Sequence, residues 1–377
     1  MVSILKKLNR FARKWFFILT HVGAVTRFVN DPKVAYSYYP DLPAKSKARV
    51  WFELIGWLFR HGEVNVFYYS YGFDVGSVDQ SAYMPYNEFK ALRNRLNDSA
   101  RIGKHATSYL VLLRDKYMFS LFLSSLGFPT PKVLGFCMGD QIEWLDTHTT
   151  EGIDSLMKRP GLKVFCKTIL GESAEGAFPL RVEGDTLLLD GAPVTLSDLT
   201  QRLRGGFIIQ EFIEQHPRTA ELYPSCLNTL RINTIRKGND IVLFAACMKM
   251  GANESTRDNW ASGGLLGVVD RETGRLTREF KYRPGCGGIA VKHPQSGIVF
   301  EGFEIPYFKE AVRMAIELHS FLYGIHSIGW DVAITKNGPL IIEGNDNWVI
   351  AAHQGVEGGL KARFLDTLVP AGKGGSC

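Results

Sequence analysis

Paired cysteines are what this chain most plainly lacks. Its six cysteines (Cys137, Cys166, Cys226, Cys247, Cys286 and Cys377) are scattered with no CxxC spacing. That excludes a zinc framework and a small disulfide scaffold, and it fits a reducing compartment, so a cytoplasmic location is expected. The nine histidines show no HExxH-type ligand spacing either. No apolar stretch reaches the ~20 residues that span a bilayer. The run Trp15 to Val25 is short, broken by Thr20 and His21, and lacks the small-residue cleavage pattern of a signal peptide. Residues 1–30 contain no acid at all. They hold Lys6, Lys7, Arg10, Arg13, Lys14 and Arg27, which account for the whole net charge of +6. The remainder is balanced, which argues against a broad nucleic-acid-binding face.

At 377 residues, with 45% hydrophobic and 22% charged side chains, the chain has the make-up of a soluble globular protein. It is long enough for two or three subdomains with their own cores. In the basic stretch, Ile4, Leu8, Phe11, Trp15 and Leu19 recur at helical spacing, with most of the charges elsewhere on the wheel. Such a helix can make a peripheral membrane contact through residues 1–30, or it can pack its apolar stripe on the protein body. A targeting peptide is a third reading.

Residues 1–105 read as mainly helical, with helical spacing in Val50 to Phe59 and in Phe89 to Leu96. A Tyr/Gly-rich patch from Val66 to Phe73 interrupts them. One amphipathic helix is predicted over Tyr109 to Leu126, ended by Gly127, Pro129 and Pro131. A βαβ-like alternation is expected next, with strands at Val133 to Phe136, Leu162 to Thr168, Leu187 to Leu189 and Gly206 to Phe212. Further strands are expected at Leu230 to Ile235, Ile241 to Lys249 and Leu265 to Val269, and a helix over Tyr307 to Leu322. The glycine-rich tail from Ala371 to Cys377 reads as flexible.

Familiar nucleotide signatures are missing. There is no Walker A motif, no GxGxxG after a first strand, and no HRD or DFG. Instead, Lys167 ends a strand and the small-residue loop Gly171-Glu-Ser-Ala-Glu-Gly176 follows at once, with Ser173 inside it. A lysine there can neutralise phosphates while backbone N–H groups cradle them, or can simply be solvated. Downstream come an apolar strand carrying Gln210 and Glu211, then Asn228-Thr229-Leu230-Arg231, Lys249, and Arg257-Asp258-Asn259. Arginines in such a series suit phosphate or carboxylate oxygens.

The last strong segment, Asp331 to Asn345, reads as a hairpin around a Lys-Asn-Gly turn. Closing it about Asn337 pairs Asp331 with Glu343, and Asn345, two residues on, shares that face. Opposed Cβ atoms lie ~5 Å apart, so two carboxylates there repel unless a cation intervenes. Two acids and one amide form an oxygen set suited to Mg²⁺. The alternative is a surface hairpin with solvated acids.

This order of parts resembles the ATP-grasp superfamily, in particular its glutamate-ligase-like members and the sugar-transfer-associated branch, over roughly residues 105–365. The resemblance implies an α+β fold in which two subdomains (106–209 and 210–365) clasp ATP. They would follow a mainly helical N-terminal region (1–105) and precede a tail (366–377). It implies that Lys116 and Lys167 contact ATP phosphates or the purine, with Lys249 a further nucleotide contact. Gly171 to Gly176 would close over the phosphates, and Gln210, Glu211 and the backbone of Phe212 and Ile213 would form the hinge that reads adenine. Arg231, Arg257 and Asn259 would hold the transferred phosphate and the acceptor carboxylate. Asp331, Glu343 and Asn345 would ligate two Mg²⁺ ions, with Mn²⁺ able to substitute. No clear ribose ligand occurs in Glu214-Gln-His-Pro-Arg218, and residues 1–105 look too helical for the family's usual opening domain. The implied reaction is ATP-dependent ligation of a small-molecule carboxylate to an amine through an acyl phosphate. A phosphotransferase and a non-catalytic nucleotide-binding module of polysaccharide assembly are the competing readings.

Overall fold

The computed structural model describes residues 20–76, 78–102, 107–170, 176–253, 255, 258, 260 and 263–369, the side chains of 100–102 and 107 excepted. The apolar stripe expected at Ile4 to Leu19 lies outside the described residues, as does the glycine-rich tail.

The N-terminal region is helical, as its spacing predicts. A helix through 20–30 (α1) is followed by α2 (Lys47–His61) and α3 (Tyr86–Asn97). Ser46 caps α2 by accepting from the Arg49 N–H at 3.3 Å, and the helix buries Val50, Leu54, Trp57 and Leu58. The buried Glu63 carboxylate accepts from Tyr86 N, Asn87 N and Trp57 Nε1, tying the start of α3 to α2. A two-residue pair, β1 (Arg101–Ile102) with β2 (Thr107–Ser108), leads out of the region.

The expected single helix from Tyr109 to Leu126 is two: α4 (Val111–Arg114) and α5 (Lys116–Ser125). Asp115 breaks it. Its backbone is extended (φ −92°, ψ 109°) and bridges Leu170, while its carboxylate caps α5 by accepting from Tyr117 N and Met118 N at 3.0 and 2.9 Å. An aspartate inside a helical period can satisfy the free N–H groups of a new first turn, and here that outweighs continuation.

Two sheets follow. The first has eight strands in the order β5-β4-β3-β10-β6-β7-β8-β9. These are β3 (Val133–Met138), β4 (Gln141–Trp144), β5 (Thr149–Gly152), β6 (Lys163–Thr168), β7 (Phe178–Glu183), β8 (Thr186–Leu189), β9 (Ala192–Val194) and β10 (Phe207–Glu211). Helix α6 (Leu196–Leu203) covers one face through Leu199 and Leu203, against Val164, Cys166, Phe178 and Ile209. Past α7 (Pro217–Leu222) the second sheet has seven strands, β15-β14-β13-β12-β11-β16-β17. Its strands are β11 (Thr229–Lys237), β12 (Asp240–Met250), β13 (Leu265–Val269), β14 (Leu276–Tyr282), β15 (Ile289–Ala290), β16 (Ser327–Thr335) and β17 (Gly338–Asn345). Helix α8 (Phe308–Phe321) packs Ala311, Met314, Ala315 and Leu318 on one face, against Leu230, Ile232, Met248 and Trp330.

The βαβ-like alternation is corrected: every pairing in both sheets is antiparallel. Turn chemistry is the reason. Asp190 and Gly191 both have positive φ (51° and 83°) and join Leu189 to Ala192 in a two-residue turn. That is the type I′ hairpin, whereas a parallel crossover needs a dozen or more connecting residues.

The other face of the seven-stranded sheet is covered by α9 (Ile350–Glu357), α10 (Lys361–Asp366) and the N-terminal region. Gln354 holds Met84 by both its N–H (2.7 Å) and its carbonyl (3.1 Å), and donates to Tyr71 Oη at 3.3 Å. Buried Lys281 on β14 donates to Tyr39 Oη and Ser70 O at 2.9 and 3.0 Å. The helical region is therefore stitched to the sheet face that carries the site described below.

The core contains histidines held neutral by burial, with pKa values pushed down to about 3 at His319 and about 4 at His326. His319 is fully paired: Trp330 Nε1 donates to Thr234 Oγ1, which bonds His319 Nδ1, and Nε2 bonds Ile325 O. Above the ordinary histidine value of 6.5 both folded and unfolded chains carry these groups neutral. Below it the unfolded chain binds protons that the folded chain refuses, so stability falls by up to about 1.4 kcal/mol per pH unit for each such histidine. Melting temperature should be flat above about pH 7 and fall steadily toward about pH 5. His319→Gln should reduce that acid-side slope; an unchanged slope would remove His319 from the linkage.

Candidate functional site

The site is built across the middle of the seven-stranded sheet. Arg231 on β11 lies in register between Cys247 on β12 and Asp331 on β16, and Asp331 in turn pairs with Glu343 on β17. The predicted Asp331–Glu343 pair is present, but by a different route. The turn is centred between Lys336 and Asn337, pairing Thr335 with Gly338 and Val332 with Ile341. A bulge between Asp331 and Val332 then shifts the register by one and brings Asp331 opposite Glu343. Neither Lys336 nor Asn337 has positive φ, so the turn is not type I′.

Asp331 is buried, and its charge is balanced by side chains. Arg231 donates Nε to Oδ1 at 2.7 Å and Nη2 to Oδ2 at 3.0 Å, and Lys249 Nζ lies 3.1 Å from Oδ1. Burial alone would raise the Asp331 pKa; the two cations hold it well below the usual carboxylate range. Burial likewise lowers that of Arg231, and the Asp331 carboxylate more than offsets it. The repulsion expected between Asp331 and Glu343 is thus relieved by Arg231 and Lys249. Asn345 Nδ2 reaches both Gly329 O and Glu343 Oε1 at 3.3 Å, so it shares the face of Glu343 and leaves its own Oδ1 uncommitted. The oxygens of Glu343 and Asn345 beside an anionic Asp331 form a donor set that fits a hard cation keeping water or phosphate as its other ligands.

The first sheet faces this cluster with Lys167. Lys167, buried at the end of β6, has its pKa lowered by burial, opposed first by the field of Glu343, with Lys116, Asp331 and Asp258 also in range. Lys116 is brought there by the break at Asp115, its N–H bonding Ile169 O at 3.1 Å. Arg114, before the break, forks onto Asp346 at 3.2 and 2.7 Å, linking α4 to the residue after Asn345. Lys167 of the first sheet so meets the field of Glu343 and Asp331 of the second, with Lys116 at the start of α5 in range of Lys167.

At the hinge, Gln210 is buried and its Nε2 bonds Ser120 Oγ and Pro131 O, with Oε1 left unpaired. Glu211 Oε1 accepts from Lys132 N at 2.9 Å, and Lys163 Nζ sits 3.9 Å over the Phe212 ring. Beyond half-buried Ile213, His216 N bonds Ile334 O, fastening the connection to the second sheet. Gly176 sits against Thr168 at the near end of the small-residue loop. Gly171, Ser173, Arg257 and Asn259 lie outside the described residues.

Four residues near the site went unassigned in the sequence. Thr229 Oγ1 bonds Asp258, which lies 3.8 Å from Lys249; burial raises the Asp258 pKa, opposed first by Lys249. Asp258 stands between the two residues that were singled out, and Thr229 two before Arg231, so adjacency was the available signal. Asn233 shares the face of Arg231 by the strand period of two, which was the available signal, whereas His353 comes into range of Arg231 from α9, which no spacing reveals.

Two antiparallel sheets, with Lys167 of one turned toward the carboxylates of the other, behind a helical region, define an ATP-grasp protein. The chain belongs to the family described as sugar-transfer associated ATP-grasp, whose model matches residues 102–366. Among solved structures it is similar to N5-carboxyaminoimidazole ribonucleotide synthetase from Thermotoga maritima, with 17% identity and a TM-score of 0.34 over 63% of this chain and 43% of that one. An L-amino acid ligase from Bacillus licheniformis shares 12% identity, with a TM-score of 0.34 over 63% and 41%. D-alanine–D-alanine ligase from Bacillus anthracis complexed with ATP shares 11%, with a TM-score of 0.38 over 68% and 64%. The chain thus spans less than half the length of the first two structures. No curated protein sequence matches it. Among the described residues no helix is long and apolar enough to cross a membrane.

Removing Asp331 takes from Arg231 and Lys249 the carboxylate they share, leaving Asp258 at 3.8 Å from Lys249 and no direct partner for the Arg231 fork among the described residues. Asp331→Ala should therefore lose about 3–5 kcal/mol of unfolding free energy, against about 1 kcal/mol for Asn345→Ala. Urea titration of both variants decides it; equal losses would mean that Asp331 is not the charge centre of the cluster.

Proposed function

We propose that this protein is an ATP-dependent carboxylate–amine ligase working through an acyl phosphate. The observation that carries the reading is the Asp331–Glu343 pair on adjacent strands, with Arg231 and Lys249 bound to Asp331 and Asn345 bound to Glu343. Lys167 and Lys116 bind the phosphates of ATP and offset charge that develops on the transferring phosphoryl group. Glu343, Asn345 and Asp331 hold Mg²⁺, which when bound neutralises phosphate charge. A carboxylate oxygen of the first substrate attacks the γ-phosphorus, the bond to the β–γ bridging oxygen breaks, and ADP leaves. The amine nitrogen then attacks the acyl carbon, inorganic phosphate departs, and the nitrogen loses its proton to the medium. Arg231, half-buried beside the cluster, stabilises the oxyanion of that second step, aided by Arg257 and Asn259. Gly171, Ser173 and Gly176 close over the phosphates, and Gln210, Glu211, Phe212 and Ile213 with Lys249 complete the nucleotide contacts. None of this requires a protein nucleophile.

The test supplies ATP, Mg²⁺, a panel of small carboxylic acids and hydroxylamine. Hydroxamate should form in step with ADP, and Lys167→Met and Glu343→Ala should each lower the rate at least about 100-fold. A stable phosphoester with no phosphate released would replace the ligase by a phosphotransferase. Full turnover in Glu343→Ala would remove the metal assignment.

A further inference from the structure

Helix α3 of the N-terminal region sets three buried side chains in one row. Phe89, Arg93 and Asn97 recur at every fourth residue, so they share one face of the helix. All three are buried, Arg93 and Asn97 at 4% and 2% exposure. Burial is ordinary for a phenylalanine, but an arginine and an asparagine so deeply placed need partners. Both find them at one place, the open end of the β16–β17 hairpin. Phe89 meets the Trp348 ring edge-on with centroids 4.8 Å apart, and Arg93 Nη1 donates to Trp348 O. Asn97 Oδ1 accepts from His326 N and Ser327 N at 3.0 and 3.1 Å. Its Nδ2 donates to Asp346 O at 3.2 Å and to Ser327 O at 3.4 Å. Two N–H groups on one side and two carbonyls on the other leave the amide a single orientation.

What stands beside that end gives the row its importance. The β16–β17 ladder closes with Gly329 opposite Asn345, and Asp346 is the next residue. Beyond that last pair the two arms are joined by Asn97, which bonds Ser327 on one and Asp346 on the other. Trp348 Nε1 adds a bond to Ser327 Oγ at 3.1 Å. Asn345 is thus held from two sides. Its strand partner Gly329 accepts from its Nδ2, and Asn97 fixes the peptide that follows it. Chain ends without such ties fray first. Asn345 and Glu343 also touch each other, Nδ2 to Oε1 at 3.3 Å, so a shift of the first disturbs the second.

We propose that Asn97, braced by Arg93, is a positioning residue for the metal end of the nucleotide site, fixing the backbone that carries Asn345. The proposal rests on the reading above that Glu343 and Asn345 hold a divalent cation. Asn97 bonds backbone atoms on either side of the ligand-bearing rows, so it acts through Asn345 rather than on the ion. Groups that orient metal ligands from behind are worth about 10- to 100-fold in metal affinity. The effect is also local. Gln210 and Glu211 at the hinge belong to the first sheet, whereas the bonds of Asn97 go to the hairpin of the second. Loss of Asn97 therefore loosens the metal end and leaves the hinge in place. The helical region becomes a structural part of the metal site through one row of α3.

The test measures, by titration calorimetry on the full chain, how far Mn²⁺ tightens the binding of ADP. The unaltered protein should bind ADP more tightly as Mn²⁺ is raised; no gain at any concentration overturns the metal assignment and the proposal with it. In Asn97→Ala the Mn²⁺ concentration that gives half of the gain should rise at least about tenfold, with metal-free ADP affinity changed by less than about twofold. An unshifted Mn²⁺ dependence in that variant overturns the proposal and leaves the metal assignment standing. Leu92→Ala controls for general loosening of α3, since Leu92 is a half-buried core residue of the same helix. It should lower the melting temperature and keep the Mn²⁺ dependence of the unaltered protein. An equal Mn²⁺ shift in Leu92→Ala would mean that α3 acts through stability alone, and overturns the proposal. Arg93→Met keeps an apolar stem beside Phe89 and drops the bond to Trp348 O, so it decides the matter where Asn97→Ala does not fold. It should shift the Mn²⁺ dependence in the same direction and spare metal-free ADP binding; no shift overturns the proposal.

Discussion

One buried carboxylate organises the functional face. Asp331 lies in the strand between β11 and β17, and two cations from neighbouring strands converge on it. An isolated charge in that position would cost several kcal/mol, so the aspartate dictates that Arg231 and Lys249 be held in fixed geometry. The cluster is then nearly neutral, which lets α9 and the N-terminal helices close over part of the face without burying net charge. The second aspartate nearby, Asp258, borrows the same Lys249 and adds Thr229, extending the network along the β11–β12 pair. Changing the register of β11 against β16 would break the fork of Arg231 on Asp331, since those two residues are directly opposed across the ladder.

The bulge after Asp331 shows how finely that register is set. From the turn inward, the hairpin pairs residues so that Asp331 would miss Glu343 by one position and the two would point to opposite faces. One extra residue in β17 restores the facing pair. The break at Asp115 does similar work on the other side of the cleft. A continuous helix would carry Lys116 on past the end of β6, whereas the bridge to Leu170 stops the chain and restarts it there. Arg114 on one side of the break and Asp346 on the other side of the cleft then tie these two local adjustments together. Both irregularities lie where function is concentrated, which is where local rules are expected to give way.

Much of this was legible from residue order and little from periodicity. The helices α2, α3 and α8 follow their apolar spacing closely, because each buries one stripe on a core and nothing competes with it. The strands missed in the first sheet, such as β4, β5 and β7, are short, and β4 and β5 carry polar side chains on the exposed face. Their turns held the stronger signal: Asp190-Gly191 announces a hairpin that rules out a parallel crossover. Asp331, Glu343 and Asn345 could be placed on one face from the period of a strand alone. That Arg231 and Lys249 neutralise the pair could not, since it depends on strands a hundred residues apart becoming neighbours.

The N-terminal region gives the site a wall that this order of parts did not predict. Lys281 is buried with no direct ion pair among the described residues; the Tyr39 hydroxyl, the Ser70 carbonyl and the faces of Tyr38 and Tyr39 surround it, and the field of Glu279 favours its charge. Burial lowers its pKa to about 8, so the ammonium is retained near neutrality by dipoles and ring faces. The carbonyl of the same lysine accepts from Trp260 Nε1 at 3.0 Å, and the Trp260 ring lies parallel to that of Phe67 in the Tyr/Gly-rich patch. Two residues before Trp260, Asp258 is fastened to Thr229 on β11 and lies 3.8 Å from Lys249 on β12. Asp258 is therefore anchored to the seven-stranded sheet, whereas Trp260 is held between β14 of that sheet and the ring of Phe67 in the helical region.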